Sequence, residues 1–192
     1  ESESTNAIEL QRIAAGFARQ YNSDYSLRAD LPHFEAISDF ENVTHVVARE
    51  GAATLVDPRT GGRVVSFLQN YLTDALKPNY LPLLVLNLHQ LGQALEITAR
   101  AVSETGDPSG VRAMETVGDT EEQQLDSIKS AWHRLMDDMA ELKTRFRFLQ
   151  VSQVTTHNDF NSTLRACFGL DRLEERLTAD LSEMSARIQA AV

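Results

Sequence analysis

Two rows of polar side chains have the spacing of a single helix face, and any chemistry would be carried there. His89, Gln93, Glu96 and Arg100 recur at i, i+4, i+7 and i+11, which is one stripe at 3.6 residues per turn. The stretch carrying them is strongly apolar at its start, so these groups need partners from protein, water or a small molecule. Imidazole is the side chain suited to proton transfer near neutral pH, so His89 would carry any acid–base role in a ligand site built on this stripe.

The second row is His133, Asp137 and Glu141, at i, i+4 and i+8. All are metal-ligand types, but helical metal sites draw ligands from more than one helix. No HExxH and no Glu-x-x-His elsewhere completes the set, and the row lies opposite Trp132, Leu135 and Met139. A His–Asp pair on a solvated face is the preferred reading, and neither a metal nor a cofactor is expected.

Other reactive residue types have plainer readings. Cys167, between Leu164 and Phe168, reads as a buried structural thiol. His33 and His157 stand beside turn or capping residues, and His45 lies on a predicted strand with no assigned partner. Lys143, Arg145 and Arg147 interleave with Phe146 and Phe148, but Phe146 belongs to an apolar seam, so this is a helix face and no nucleic-acid stripe. Asn42-Val43-Thr44 and Asn161-Ser162-Thr163 match the glycosylation acceptor pattern, which matters only in a eukaryotic secretory setting. The sequence has no Gly-x-Ser-x-Gly, no Cys/His catalytic signature, no P-loop and no dinucleotide fingerprint.

The element that must position the first row runs from Asn79 to Val102. Leu81, Leu84, Leu88, Leu91 and Leu95 form one apolar stripe, and Leu83, Val85 and Leu86 make the neighbouring faces apolar too. That pattern predicts a helix buried on nearly all sides, capped by Asn79 and with Pro82 in its first turn. A bilayer span needs about 20 mostly apolar residues. Here Asn87, His89, Gln90, Gln93 and Glu96 interrupt the run, so no membrane span is expected.

The second row sits on a helix opened by Asp119 and Glu122. Its apolar positions, Leu125, Ile128, Trp132, Leu135, Met139, Leu142, Phe146 and Leu149, alternate in steps of three and four. Such a heptad seam packs in coiled-coil fashion, and its large Trp132, Met139 and Phe146 favour a contact between subunits, since aromatic residues and Met are enriched at interfaces. VSQVTTHND then reads as a bend, and Asn158 or Asp159 as the cap of a segment with Phe160, Leu164, Cys167 and Phe168 inward, interrupted by Gly169. A last helix from Arg172 carries a near-heptad seam of Leu173, Leu177, Leu181, Met184, Ile188 and Ala191, a natural antiparallel partner for the first. It is still running at the final residues, as it would if it continued into a membrane segment or another domain.

Before the central helix the pattern is mixed. A cover helix is predicted from Ser4 or Thr5 to about Gln20, with Ile8, Leu10, Ile13, Phe17 and Tyr21 inward, and a short helix after Pro32 within 31–40. Residues 43–65 turn strand-like and predict an antiparallel meander of Val43–Arg49, Ala53–Val56 and Arg63–Val65, with Gly61 and Gly62 supplying the second turn. Ser66 and Gln69 then cap a short helix that Lys77-Pro78 should stop. Ser103 to Gly118 reads as a long surface loop.

At 192 residues and 42% hydrophobic the chain can bury a substantial core. A formal charge of −10 argues against nucleic-acid and anionic-membrane partners. Its one cysteine excludes an internal disulfide framework and is silent about compartment, with the cytoplasm favoured for a soluble chain. The start at Glu1, without Met or a leader, fits a processed or excised chain whose targeting signals are lost.

The fold expected is mostly α, of α+β class: long near-antiparallel helices bundled around a buried central helix, with a small antiparallel β-meander near 43–65. It is read as a single domain over 1–192, divisible into a mixed part, 1–78, and a long-helix part, 79–192. The function expected is that of a non-enzymatic interaction, oligomerisation or sensory module, with a protein or a second copy as partner. The alternative is a ligand-binding or enzymatic helical domain using the stripe from His89 to Arg100.

Overall fold

Val43–Ala48 is the strand on which the first part of the chain is built, because VTHVVA is rich in the β-branched residues that suit a pleated surface. In this computed structural model, which describes residues 11–18, 34–40, 42–60, 63–105, 121–146 and 150–190, both of its edges are paired. The sheet order is β1 (Phe34–Phe40), β2 (Val43–Ala48), β3 (Gly51–Val56), all antiparallel. Val43, His45, Val46, Val47 and Ala48 are all buried, so β2 is covered on both faces. A second ladder is minimal: β4 (Arg59–Thr60) pairs with β5 (Arg63–Val64).

Two expectations change here. The meander is offset towards the N-terminus, because its outer strand is Phe34–Phe40 where a short helix was expected. Pairing with the valine-rich β2 outweighs the local helix signal of that stretch. Arg63–Val64 closes only a small hairpin of its own, and Gly61 and Gly62 lie outside the described residues.

The chain divides into two compact units, Glu1–Leu88 with Phe148–Leu170, and His89–Arg147 with Asp171–Val192. Residues 78 and 79 lie within the π-helix Leu72–Tyr80. In the first unit, α1 (residues 11–18 as described) lays Ala14 and Ala15 on Val46, with Phe34, Ala53 and Leu55 beside them. Ile13 and Phe17, expected inside, are 50% and 74% exposed. The reason is the close approach of α1 to the sheet: a Cβ on Gly51 would sit 2.7 Å from the Ala18 carbonyl oxygen, a spacing that admits only small side chains. Ile8, Leu10 and Tyr21 lie outside the described residues.

After the four-residue α2 (Ser66–Gln69), the chain winds as a π-helix from Leu72 to Tyr80 and runs on into α3 (Leu81–Thr105). Pro78 was expected to stop the helix. Proline lacks an N–H and clashes with the carbonyl four residues back; winding with i→i+5 bonds relieves this, and the Leu81 N–H donates to the Leu76 carbonyl.

The first half of α3 is not buried on all sides, which overturns the buried central helix. Leu81, Val85 and Leu88 are 47%, 56% and 44% exposed, while Asn87 is fully buried. The cause is pairing. Asn87 Nδ2 donates to the Leu83 carbonyl at 2.8 Å and to Asn161 Oδ1 at 2.9 Å, which offsets the burial of its donor group, while its Oδ1 is buried without a hydrogen-bond partner among the described residues. Asn161 belongs to α5 (Thr155–Phe168), which packs on β1 and β2 and buries Phe160, Leu164 and Phe168. Gly169, at φ 68°, ends that helix in the left-handed conformation glycine favours. Asn158, expected as a cap, instead staples the preceding bend, its Oδ1 accepting from the Val151 and Ser152 N–H groups.

In the second unit one cluster collects Ala94 and Ile97 of α3, Trp132, Leu135 and Met139 of α4 (Glu121–Glu141), Leu142 of the π turn that follows it, and Leu177 and Leu181 of α6 (Leu170–Ala190). Ala101, Leu173 and Met184 pack against it. The heptad seams thus meet as the sequence suggested, but within one chain. Trp132, Leu135, Met139 and Leu142 are at most 5% exposed. Ile128 is half-buried; Leu149 and the side chains of Leu125 and Phe146 lie outside the described residues. Among the described residues no helix is long and apolar enough to cross a membrane.

Candidate functional site

The row His89, Gln93, Glu96 and Arg100 lies along α3. His89 and Glu96 are exposed, Gln93 and Arg100 half-buried. Arg100 is committed within its own unit, donating through Nη1 to Asp138 Oδ2 at 2.6 Å. The second row is exposed throughout: His133 Nδ1–H donates to the Lys129 carbonyl at 2.7 Å, and Glu141 pairs with Arg145 at 2.6 Å. Among the described residues no three His, Cys, Asp or Glu side chains are grouped so as to hold a metal.

Both glycosylation motifs are occupied by structure. Asn161 is 3% exposed and bonded to Asn87. The Asn42 Nδ2, the atom a glycan would join, donates to the Asp57 and Arg59 carbonyls. Cys167 is half-buried with Sγ 3.8 Å from the Val47 carbonyl; burial, then the Glu35 carboxylate, pushes its thiol up, which weakens it as a nucleophile.

The polar cluster that sequence reading missed is centred on His45, which is 2% exposed. Strand register builds its first contact: His45 is the direct partner of Thr54 on β3, and its Nδ1 lies 2.9 Å from Thr54 Oγ1. The second comes from Tyr71, whose hydroxyl is 3.5 Å from Nε2. Which imidazole nitrogen donates depends on the tautomer, and the Tyr71 hydroxyl also has a hydrogen bond with Tyr80. Tyr80 lies against the imidazole at 4.2 Å between ring centroids, Phe160 at 5.1 Å, and His157 stands edge-on to Tyr80 at 5.1 Å.

The π-helix explains how both tyrosines reach one histidine. Nine residues of α-helix make two and a half turns and would put Tyr71 and Tyr80 on opposite sides. The wider i→i+5 winding needs only about two turns for the same nine residues, and the rings sit 6.4 Å apart. Burial, then the neighbouring Tyr80, pushes the Tyr71 phenol well above its ordinary range, so it stays a hydrogen-bond donor. The cluster therefore ties the sheet, the π-helix and α5 into one hydrogen-bonded aromatic core.

A different surface stands out on α3. Leu81, Val85, Leu88, Leu95 and Val102, with Gly92 and Ala99 between them, follow steps of four and three, and all seven are exposed. The five large side chains are 44% to 68% exposed. They lie opposite Asn87, Gln90, Ala94 and Ile97, the face α3 buries. Scattered surface leucines need no explanation, but these exposed apolar side chains share one helix face. Compared with protein-family models, with curated proteins and with solved structures, the chain matches none.

Proposed function

We propose that this chain is a non-enzymatic interaction module that associates with a second copy of itself through the outer face of α3. The observation that carries the reading is the exposed apolar stripe at heptad spacing, the pattern that packs one helix against another. The seam of α4, which first suggested oligomerisation, packs with α3 and α6 in a buried cluster, so we base the reading on the exposed face of α3.

Light scattering with native mass spectrometry on the purified chain tests this. A dimer is expected, and Leu88→Asp should dissociate it while leaving a cooperative thermal transition in place. A wild-type chain that remains monomeric at high micromolar concentration would end the proposal.

A further inference from the structure

We infer that Tyr71 is a detachable lid over His45, and that lifting it opens a site for a small phenol. Little else holds this stretch of chain down. Of residues 63–74, Tyr71 alone is buried, at 6% exposed, while Phe67 and Leu72 are 52% and 56% exposed. The four-residue α2 just before it buries no side chain. The Tyr71 hydroxyl reaches His45 Nε2 only at 3.5 Å, against 2.9 Å between Nδ1 and Thr54, and a hydrogen bond that long is weak. The other end of the π-helix is held more firmly. Tyr80 is 4% exposed and packs on His45 and Phe160, and Asn87 ties the helix that follows to Asn161.

Helix geometry supplies the motion. Tyr71, Ala75 and Tyr80 are the buried residues of this segment, at steps of four and five. Rewound as an α-helix, the stretch from Tyr71 to Tyr80 makes about two and a half turns, so with Tyr80 held in place Tyr71 and α2 swing to the far side. Pro78 opposes this, because in an α-helix its ring meets the carbonyl four residues back. What Tyr71 leaves behind sets the ligand. It is the space of one phenol, with the Tyr80 ring as a wall, 6.4 Å from the Tyr71 ring and inclined to it by 29°, and with His45 Nε2 at its polar end. An aromatic ring bearing one hydroxyl replaces both contacts. A phenol hydroxyl donates and accepts, so it suits either imidazole tautomer.

Hydrogen exchange of the full chain with and without p-cresol, the tyrosine side chain as a free molecule, tests the lid. A phenol that occupies the site holds the lid open, so it should speed exchange of the hydrogen-bonded amides of Asn70, Thr73 and Asp74. Rates that p-cresol leaves unchanged or slows would overturn the inference. Titration followed by NMR at the His45 imidazole is the second measurement. Pro78→Ala, at an exposed position, removes the clash that keeps the lid closed and should bind p-cresol roughly tenfold or more tightly than the wild type. Tyr71→Ala should bind it at least as tightly as Pro78→Ala, and should bind toluene, which lacks the hydroxyl, more weakly. Equal affinity of the wild type and Pro78→Ala, or of p-cresol and toluene, would mean that no phenol site lies beneath Tyr71. Neither measurement depends on self-association through α3.

Discussion

His45 shows how much a single residue depends on partners far along the chain. Its nitrogens meet Thr54 and Tyr71, nine and 26 residues away, so alternation could place it on a strand but not name its partners. Tyr71→Phe leaves a buried imidazole nitrogen without its hydroxyl, and should cost about 1–3 kcal/mol in denaturant unfolding. The same phenol makes stability depend on alkaline pH. Its folded-state pKa is raised above the ordinary value of 10.0, so the unfolded chain loses the proton first as pH rises. That contribution is fully present below about pH 10 and is lost progressively above it. Denaturant titrations at a series of alkaline pH values should show this falling limb in the wild type and a shallower one in Tyr71→Phe. Equal slopes would mean that Tyr71 is not held as described.

At the scale of elements, glycine positions report where backbones come close. Gly51 faces the Ala18 carbonyl oxygen at 2.7 Å from a would-be Cβ, and backbone cannot step aside as a side chain can. Gly51→Ala should therefore force α1 away from β3 and destabilise the first unit by about 1–3 kcal/mol, read as a shift of the denaturation midpoint. The α4 and α6 seams were legible because a repeat of three and four survives whatever the partner is. The face of α3 was not. With leucines on several sides, hydrophobicity alone does not choose between them, and a paired Asn87 decided which side went in. The π winding was hidden for a related reason, since proline reads as a stop unless the helix around it can widen.

For the whole molecule the sharpest contrast lies between two leucines that composition treats alike. Leu135 is fully buried in the second unit, and Leu135→Ala should cost about 2–5 kcal/mol, with the fluorescence of Trp132, the only tryptophan, following the loss. Leu88 is 44% exposed. From the sequence, Leu88→Asp should unfold the protein by burying a carboxylate; in this fold the carboxylate reaches water, so the melting temperature should move by only a few degrees while association is lost. A collapse of the thermal transition would show that α3 is enclosed after all.

What the sequence determined by itself is local: a mostly helical chain with a small antiparallel sheet, the heptad seams of α4 and α6, the β character of Val43–Ala48, and the break at Gly169. These follow from period, branching at Cβ and the backbone freedom of glycine, all properties of a residue and its near neighbours. Tertiary structure decided which strand lies outermost, which side of α3 is covered, that Trp132 and Met139 are spent inside the chain, and that His45 sits between Thr54 and two tyrosines. Each depends on a partner distant in sequence, and burial is settled by pairing as much as by hydrophobicity: an asparagine whose Nδ2 is bonded to Leu83 and Asn161 goes inside while leucines beside it face out.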